Sequence, residues 1–245
     1  MSPHLMASLG GSVAMSAGAI ATSYDADDLV DGDPLNPVLT TNGTATFSVT
    51  GSSIVGVNGA VIVNHDLTAG INAVLGGSLS GTIVTPPVPP GFVRRNGHLL
   101  FTPVTAANAT LAITGYPSPF RIGEFIYGKF QEILAMPPES NLEMLPYEVP
   151  PGGEYGGLSQ SLGARSRRYG GTIYVDDVTA GIINDWYEAC DNNSLSSIII
   201  PFPQRDAWCV KWVTYSPKPV TVDLGSMAAW KIDLEWEELP RLRWP

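Results

Sequence analysis

The sequence is poor in charged residues: they make up 15 % of 245 residues, with 13 Lys and Arg against 23 Asp and Glu. No basic cluster is interleaved with aromatic residues, so we expect no nucleic-acid partner. Two cysteines are too few for a disulfide scaffold. We interpret Cys190 and Cys209 as small buried hydrophobic residues, with a disulfide between them as the alternative.

Long hydrophobic runs are also missing. No apolar stretch approaches the roughly 20 residues that span a bilayer, and the basic start of a secretory signal peptide is absent. We therefore expect a soluble protein, made in a reducing compartment, that does not insert into membranes.

The sequence lacks the common catalytic signatures. It has no Gly-x-Ser-x-Gly elbow, phosphate loop or dinucleotide fingerprint. His4, His65 and His98 are scattered, without the spacing of zinc ligands. We predict no enzyme, no catalytic residue and no bound cofactor. Sequence leaves open a pair of carboxylates suited to glycoside hydrolysis.

Acidic residues are densest between positions 25 and 33. Ca²⁺ takes six to eight oxygen ligands, which makes Asp27, Asp31 and Asp33 candidate calcium ligands. Their spacing differs from that of an EF-hand, and no Glu stands where the bidentate ligand belongs. The alternative is a solvated turn with an Asp cap.

The residues that are present favour a mainly β protein. Hydrophobic residues make up 44 % of the chain, with 26 Gly and 21 Pro and no collagen-like period. In residues 1–136, short β-prone runs alternate with Asn42-Gly43, Asn58-Gly59 and Asn96-Gly97, which are strong hairpin signals. This spacing predicts a β-sandwich. Residues 137–168 are rich in Gly and Pro, and we interpret them as a linker or an arm that contacts a neighbour.

Residues 169–245 predict a second domain with one helix. A strand over 171–175 is followed by Asp176 and Asp177, which supply capping oxygens. The helix then shows one apolar stripe, made of Ile182, Ile183, Trp186, Ala189 and Cys190. Residues 197–200 predict a short strand.

All six tryptophans lie in the last 60 residues. Residues 230–237 alternate apolar and charged side chains, as in a sheet with one wet face. We interpret the tryptophans as packing residues, with stacking on sugars as the alternative. Arg165, Arg167 and Arg168, and Trp244 beyond Pro240, are candidate contacts to a neighbouring subunit.

Two patterns resemble known families. Residues 208–212 and the run from Trp230 to Pro240 resemble the ends of tail-tube and distal-tail proteins of long-tailed bacteriophages. That resemblance implies a β-sandwich or split barrel with one flanking helix that oligomerises into rings. Residues 29–34 are similar to a turn of discoidin-like, galactose-binding jelly rolls, although Leu35-Asn36-Pro37 replaces the usual tryptophan.

The resemblances imply a jelly-roll-like sandwich over 1–136, which faces carbohydrate, and a tail-protein-like assembly domain over 169–245. The leading hypothesis is a structural subunit of a phage virion, in the tail or baseplate as a distal tail protein. It would be made in the bacterial host cytoplasm. Its partners would be copies of itself in a ring, other tail proteins and a host-surface glycan. The alternative is a stand-alone carbohydrate-binding adhesin or receptor-binding module.

Overall fold

A computed structural model of the chain describes these residues: 4–7, 12–31, 33–34, 36–67, 71–75, 79–83, 95–116, 119–132, 141–146, 165–193, 197–200, 207–221 and 228–238. They form two seven-stranded antiparallel sheets, one α-helix and a short 3-10 helix at Asp27–Val30. This confirms the predicted mainly β fold with one flanking helix. No helix within the described ranges has the length and hydropathy needed to cross a membrane.

The first sheet has the strand order β3-β8-β4-β7-β5-β6, and β2 also pairs with β4. Its strands are β2 (Ser12–Ala17), β3 (Val38–Thr40), β4 (Ala45–His65), β5 (Ile71–Leu75), β6 (Leu79–Thr82), β7 (Arg95–Ile113) and β8 (Phe120–Gly128). The second sheet has the order β10-β11-β14-β13-β12-β1-β9. Its strands are β1 (His4–Ala7), β9 (Gln131–Glu132), β10 (Asn141–Pro146), β11 (Arg165–Asp176), β12 (Ser197–Ile200), β13 (Trp208–Thr221) and β14 (Ala228–Glu238).

The first sheet folds over itself into a sandwich. β4 and β7 pair along their length, and their register shifts several times between Thr50 and Gly59. Such irregularities bend a strand and let it pass from one layer to the other. β2 pairs with β4 before the shifts, whereas β8 pairs with it from Gly59 onward. Buried side chains such as Phe47 and Phe120 fill the space between the layers. The β-sandwich prediction is confirmed.

The helix α1 (Asp177–Asn193) packs on one face of the second sheet. Ala180 and Ile183 are buried against alternate residues of β14, namely Ile232, Leu234 and Trp236. The charged residues between them lie on the opposite, partly exposed face. The helix and the alternation of β14 are therefore as the sequence predicts.

The capping prediction is also confirmed. Asp176 accepts a hydrogen bond from the backbone N–H of Thr179 at 2.8 Å, which satisfies one of the free donors of the first helical turn. Cys190 and Cys209 are both buried and are not joined by a disulfide, so they pack as small side chains.

A third apolar cluster joins the two sheets. Val61, Val63 and Ile126 of the first sheet pack against Ile198 and Cys209 of the second. The contact therefore brings β4 and β8 against β12 and β13, and it excludes water between the two halves of the fold.

The second sheet takes strands from all three segments that the sequence distinguishes. β1 lies between β12 and β9 in the second sheet, although both β1 and β9 belong to residues 1–136. The segment 137–168, interpreted as a linker, contains β10 and the start of β11, which pair with each other. These residues extend the sheet from the edge of β14, and their role as a linker or an arm stays a prediction. The three-part division of the chain stays a prediction.

The three Asn-Gly hairpin predictions are wrong, and Asn42-Gly43 joins β3 to β4, which lie on either side of β8 and do not pair with each other. Asn58-Gly59 lies inside β4 and Asn96-Gly97 inside β7. The Asn58 side chain bonds both backbone groups of Phe130, accepting from its N–H at 2.6 Å and donating to its C=O at 3.0 Å. A Cβ on Gly59 would overlap the Phe130 ring. The residue types that favour turns serve tertiary contacts at these positions.

Candidate functional site

An open groove of about 300 Å³ lies between α1 and the hairpin of β13 and β14. We call it the α1 groove, and it is lined by Asp177, Ala180, Gly181, Asn184, Tyr215, Pro217 and Trp230. Its volume is at the lower end of the range typical of small-molecule sites, and its mixture of aromatic and polar side chains is typical of them as well.

Two elements build the groove. The helix contributes Asp177, Gly181 and Asn184, which follow one another at every third or fourth position and so lie on one helix face. The strands contribute Tyr215 and Trp230, which face the helix because they share the side of the sheet that packs against it.

An aromatic cluster supports the wall formed by Tyr215. Tyr187 of α1 stacks on Tyr215 with ring centroids 4.5 Å apart and an interplanar angle of 26°. Trp212 meets both rings edge to face, and it contacts Trp236 in the same manner at 5.2 Å. These geometries are the favoured ones for aromatic pairs. The rings therefore hold Tyr215 in place from the side of the core.

Hydrogen bonds fix the polar side chains of the groove. The indole N–H of Trp230 donates to Oδ1 of Asp177 at 2.9 Å. The Tyr215 hydroxyl donates to Oδ1 of Asn184 at 3.2 Å, and the Asn184 amide donates to Glu188 at 2.9 Å. A hydroxyl donor on one side and a carboxylate acceptor on the other define the orientation of the Asn184 amide.

The Tyr215 hydroxyl keeps its proton at neutral pH. Burial raises the pKa of Tyr215, and the carboxylates of Glu188 and Asp185 raise it further, because they disfavour a nearby phenolate. The hydroxyl therefore stays a hydrogen-bond donor to Asn184 and offers its lone pairs to the groove.

Gly181 leaves the groove open at its helical wall. It is exposed in the interior of α1, and a Cβ built on it meets no atom within 4 Å. No contact among the described residues requires a glycine there, although glycine in a helix interior costs about 0.5–1 kcal/mol relative to alanine. What its small size provides is space in the groove.

The groove suits binding by stacking and hydrogen bonding. Trp230 and Tyr215 provide aromatic surface, while Asp177 and Asn184 provide an acceptor and an amide beside it. After the bonds to Trp230 and Tyr215, Asp177 keeps its second carboxylate oxygen and Asn184 keeps a second N–H. These groups can accept and donate at the same time, as a hydroxyl-rich ligand requires.

The structure does not gather the candidate calcium ligands around one point. Asp27 accepts from the backbone N–H of Val13 at 2.9 Å. Asp31 accepts from the backbone N–H of Asp33 at 2.8 Å and from the Asn36 amide at 3.0 Å. Over the described ranges, no three His, Cys, Asp or Glu side chains are placed to hold a metal ion. Asp27 thus bonds the backbone of β2 and Asp31 bonds within the turn, and calcium binding stays a prediction.

The basic candidates for subunit contact take part in the second sheet. Arg165, Arg167 and Arg168 lie in β11, where their backbones pair with β10. The Arg168 guanidinium forms ion pairs with Glu235 at 3.3 Å and Glu237 at 3.2 Å. These pairs engage Arg168 within the chain. The role of the three arginines as contacts to a neighbouring subunit stays a prediction. Trp244 lies outside the described residues.

Sequence reasoning missed the α1 groove because its parts are far apart in the chain. Trp230 and Asp177 are separated by 53 positions, and Tyr215 and Asn184 by 31. The interpretation of the tryptophans as packing fits Trp236, which is buried, but Trp230 lines the groove. Gly181, in the interior of the predicted helix, is the local feature that could have indicated the groove.

Several solved carbohydrate-binding modules resemble the chain over about half of its length. A fucose-binding module of Streptococcus pneumoniae is 9 % identical, with 51 % of this chain and 97 % of that chain covered and a TM-score of 0.39. The lectin domain of lectinolysin in complex with Lewis B antigen is 15 % identical, with 50 % and 94 % covered and a TM-score of 0.39. The family 32 module of C. perfringens NanJ in complex with galactose is 12 % identical, with 51 % and 98 % covered and a TM-score of 0.38.

No protein-family model matches the sequence, and no curated protein matches it either.

Proposed function

We propose that this protein is a non-catalytic carbohydrate-binding protein and that an oligosaccharide binds in the α1 groove. The observation that carries the proposal is the pairing of Trp230 and Tyr215 with the fixed polar groups of Asp177 and Asn184 in one open groove. Aromatic faces are electron-rich and suit the C–H face of a pyranose. The adjacent carboxylate and amide suit its hydroxyls.

The proposal is non-catalytic because the groove is poor in carboxylates. Among the described residues that line it, Asp177 is the single acid. Glycoside hydrolysis ordinarily uses two carboxylates that flank the scissile bond. We expect incubation with a bound oligosaccharide to release no reducing ends. Release that disappears in Asp177→Asn would contradict this part of the proposal.

The first experiment is calorimetric titration of the protein with oligosaccharides chosen from a glycan array. We expect Gly181→Leu to abolish binding, because the new side chain extends into the groove and meets no atom of the chain near its Cβ. Val178→Leu is the matched control, since Val178 is 72 % exposed on the same helix and does not line the groove. Binding that survives Gly181→Leu would place the ligand elsewhere.

Trp230→Ala tests the stacking surface. Loss of one aromatic wall should weaken binding about tenfold or more, equivalent to roughly 1.4 kcal/mol. Because Trp230 also packs against the core of the second sheet, its thermal unfolding must be recorded beside the titration. Tyr174→Ala is the control for a lost aromatic side chain, since Tyr174 is 65 % exposed and outside the groove. Unchanged affinity in a folded Trp230→Ala protein would refute the stacking role.

The virion-tail role inferred from the C-terminal motif stays a prediction, and so do the ring, the tail partners and the location in a virion. Mass determination with negative-stain imaging distinguishes the tail role from the binding proposal, because a tail subunit would form a ring. A monodisperse monomer that binds oligosaccharide would favour the stand-alone binding protein.

A further inference from the structure

We infer that the α1 groove selects saccharides that carry free, protonated amines over N-acetylated or anionic saccharides of the same length. The inference rests on the proposed carbohydrate-binding function and narrows its ligand class. It follows from how charge is distributed around the groove.

The charges beside the groove are negative. The helix α1 contains four carboxylates and no Lys, Arg or His. Asp177 lines the groove itself, and Asp176 precedes it at the helix cap. Asp185 and Glu188 are exposed about two and three turns beyond Asp177, and both carboxylates raise the pKa of Tyr215, which lines the groove. Acidic groups therefore follow the groove along its helical wall.

Among the described residues of this half of the fold, the lysines lie on the other face of the sheet. Lys218 and Lys231 are 3.8 and 3.7 Å from the carboxylate of Asp233, and Lys211 is 3.4 Å from that of Glu237. Asp233 and Glu237 alternate with the residues that face α1, so these pairs form on the side away from the groove. They do not neutralise the helical carboxylates.

An ammonium group complements this arrangement. It offers three hydrogen-bond donors and no acceptor, and the second oxygen of Asp177 remains to receive one of them beside Trp230. Acetylation would remove the charge, and a carboxylated sugar would be repelled. An exposed ion pair contributes at most about a fivefold change in affinity. One contact to Asp177, with longer-range attraction to Asp185 and Glu188 beside the groove, gives an advantage of about tenfold for the amine.

The test compares glucosamine trimer with its N-acetylated counterpart and with a uronic acid trimer, by calorimetric titration in mildly acidic buffer of low ionic strength. We expect glucosamine trimer to bind about tenfold more tightly than the acetylated trimer, and the uronic acid trimer not to bind. High salt should reduce the advantage, because exposed charges are screened.

Asp185→Asn combined with Glu188→Gln should reduce the advantage from about tenfold to at most about the fivefold that Asp177 alone can contribute. Both changes keep a carbonyl oxygen, so the acceptor for the Asn184 amide remains. Glu235→Gln is the control, since it removes one negative charge from the opposite face of the sheet, where Glu235 pairs with Arg168. It should leave the preference unchanged.

The outcomes separate the two proposals. Equal affinity for the amine and acetylated trimers, sensitive to Gly181→Leu, would overturn the inference and leave the proposed function standing. A preference for the amine that is as large in the double variant as in the unchanged protein would also overturn it. If no oligosaccharide binds in the α1 groove, the proposed function itself fails.

Discussion

We expect loss of the Asn96 side chain to lower the free energy of unfolding. The side chain is 1 % exposed, its Oδ1 accepts from the backbone N–H of Asn64, and its Nδ2 donates to the carbonyl of Ala207, both at 2.8 Å. The first bond lies within the sandwich and the second reaches the second sheet. One amide therefore satisfies a buried donor on one side and a buried acceptor on the other.

The magnitude follows from what Asn96→Ala leaves behind. The N–H of Asn64 and the C=O of Ala207 would lose a partner in a buried region, and a buried polar group without a partner costs about 1–3 kcal/mol. We expect a loss of about 2–5 kcal/mol in the free energy of unfolding. That is a large fraction of the roughly 5–15 kcal/mol that stabilises an ordinary domain.

Urea denaturation followed by tryptophan fluorescence and by circular dichroism measures this loss. Fluorescence reports on the C-terminal half, where all the tryptophans lie, whereas circular dichroism reports on the whole chain. Asn108→Ala is the matched control, because Asn108 is exposed in the same strand and should change stability by no more than about 0.5 kcal/mol. A loss below about 1 kcal/mol in Asn96→Ala would refute the reasoning, since the two backbone groups must then find other partners.

Two further predictions concern glycines and a helix cap. Gly181→Ala should stabilise the protein by about 0.5–1 kcal/mol. Gly59→Ala should destabilise it by about 1–3 kcal/mol, because its Cβ would overlap the Phe130 ring. Thermal unfolding of both variants checks these opposite signs. The hydrogen bonds from Thr179 lower the pKa of Asp176 below its ordinary value. The contribution of the Asp176 carboxylate to stability is thus present above the ordinary pKa and is lost as pH falls through the lowered pKa. Asp176→Ala should therefore lower the melting temperature at neutral pH and not in strong acid. An equal loss in strong acid would contradict this.

The second half of the fold could be predicted because its signals are local. The stripe of α1, the cap at Asp176 and the alternation along β14 each involve neighbours in the chain, and backbone periodicity alone fixes which face is buried. The sandwich could be predicted as a class from its many β-prone runs. The lengths of β4 and β7 could not, because the bulges that join two predicted strands into one depend on partners across the sheet.

The candidate site could not be predicted for a related reason. A groove between a helix and a hairpin is defined by which residues the fold leaves uncovered, and Trp230 lies on the same side of the β14 alternation as the buried Trp236. Asn58 and Asn96 show the converse failure. Their Asn-Gly pairs carry strong turn signals, yet distant backbone groups use both side chains. At both positions a tertiary hydrogen bond overrides the local preference for a turn.

The position of β1 bears on how the protein is made. Residues 4–7 pair on one side with residues 131–132 and on the other with residues 197–200. A ribosome therefore releases this strand long before either neighbour exists, and contacts so distant in the chain close slowly. Until then its edges are open to pairing with other chains. The second sheet can be completed only after the sandwich has been synthesised, so a nascent chain stalled before residue 197 should be open to proteolysis at its first strand.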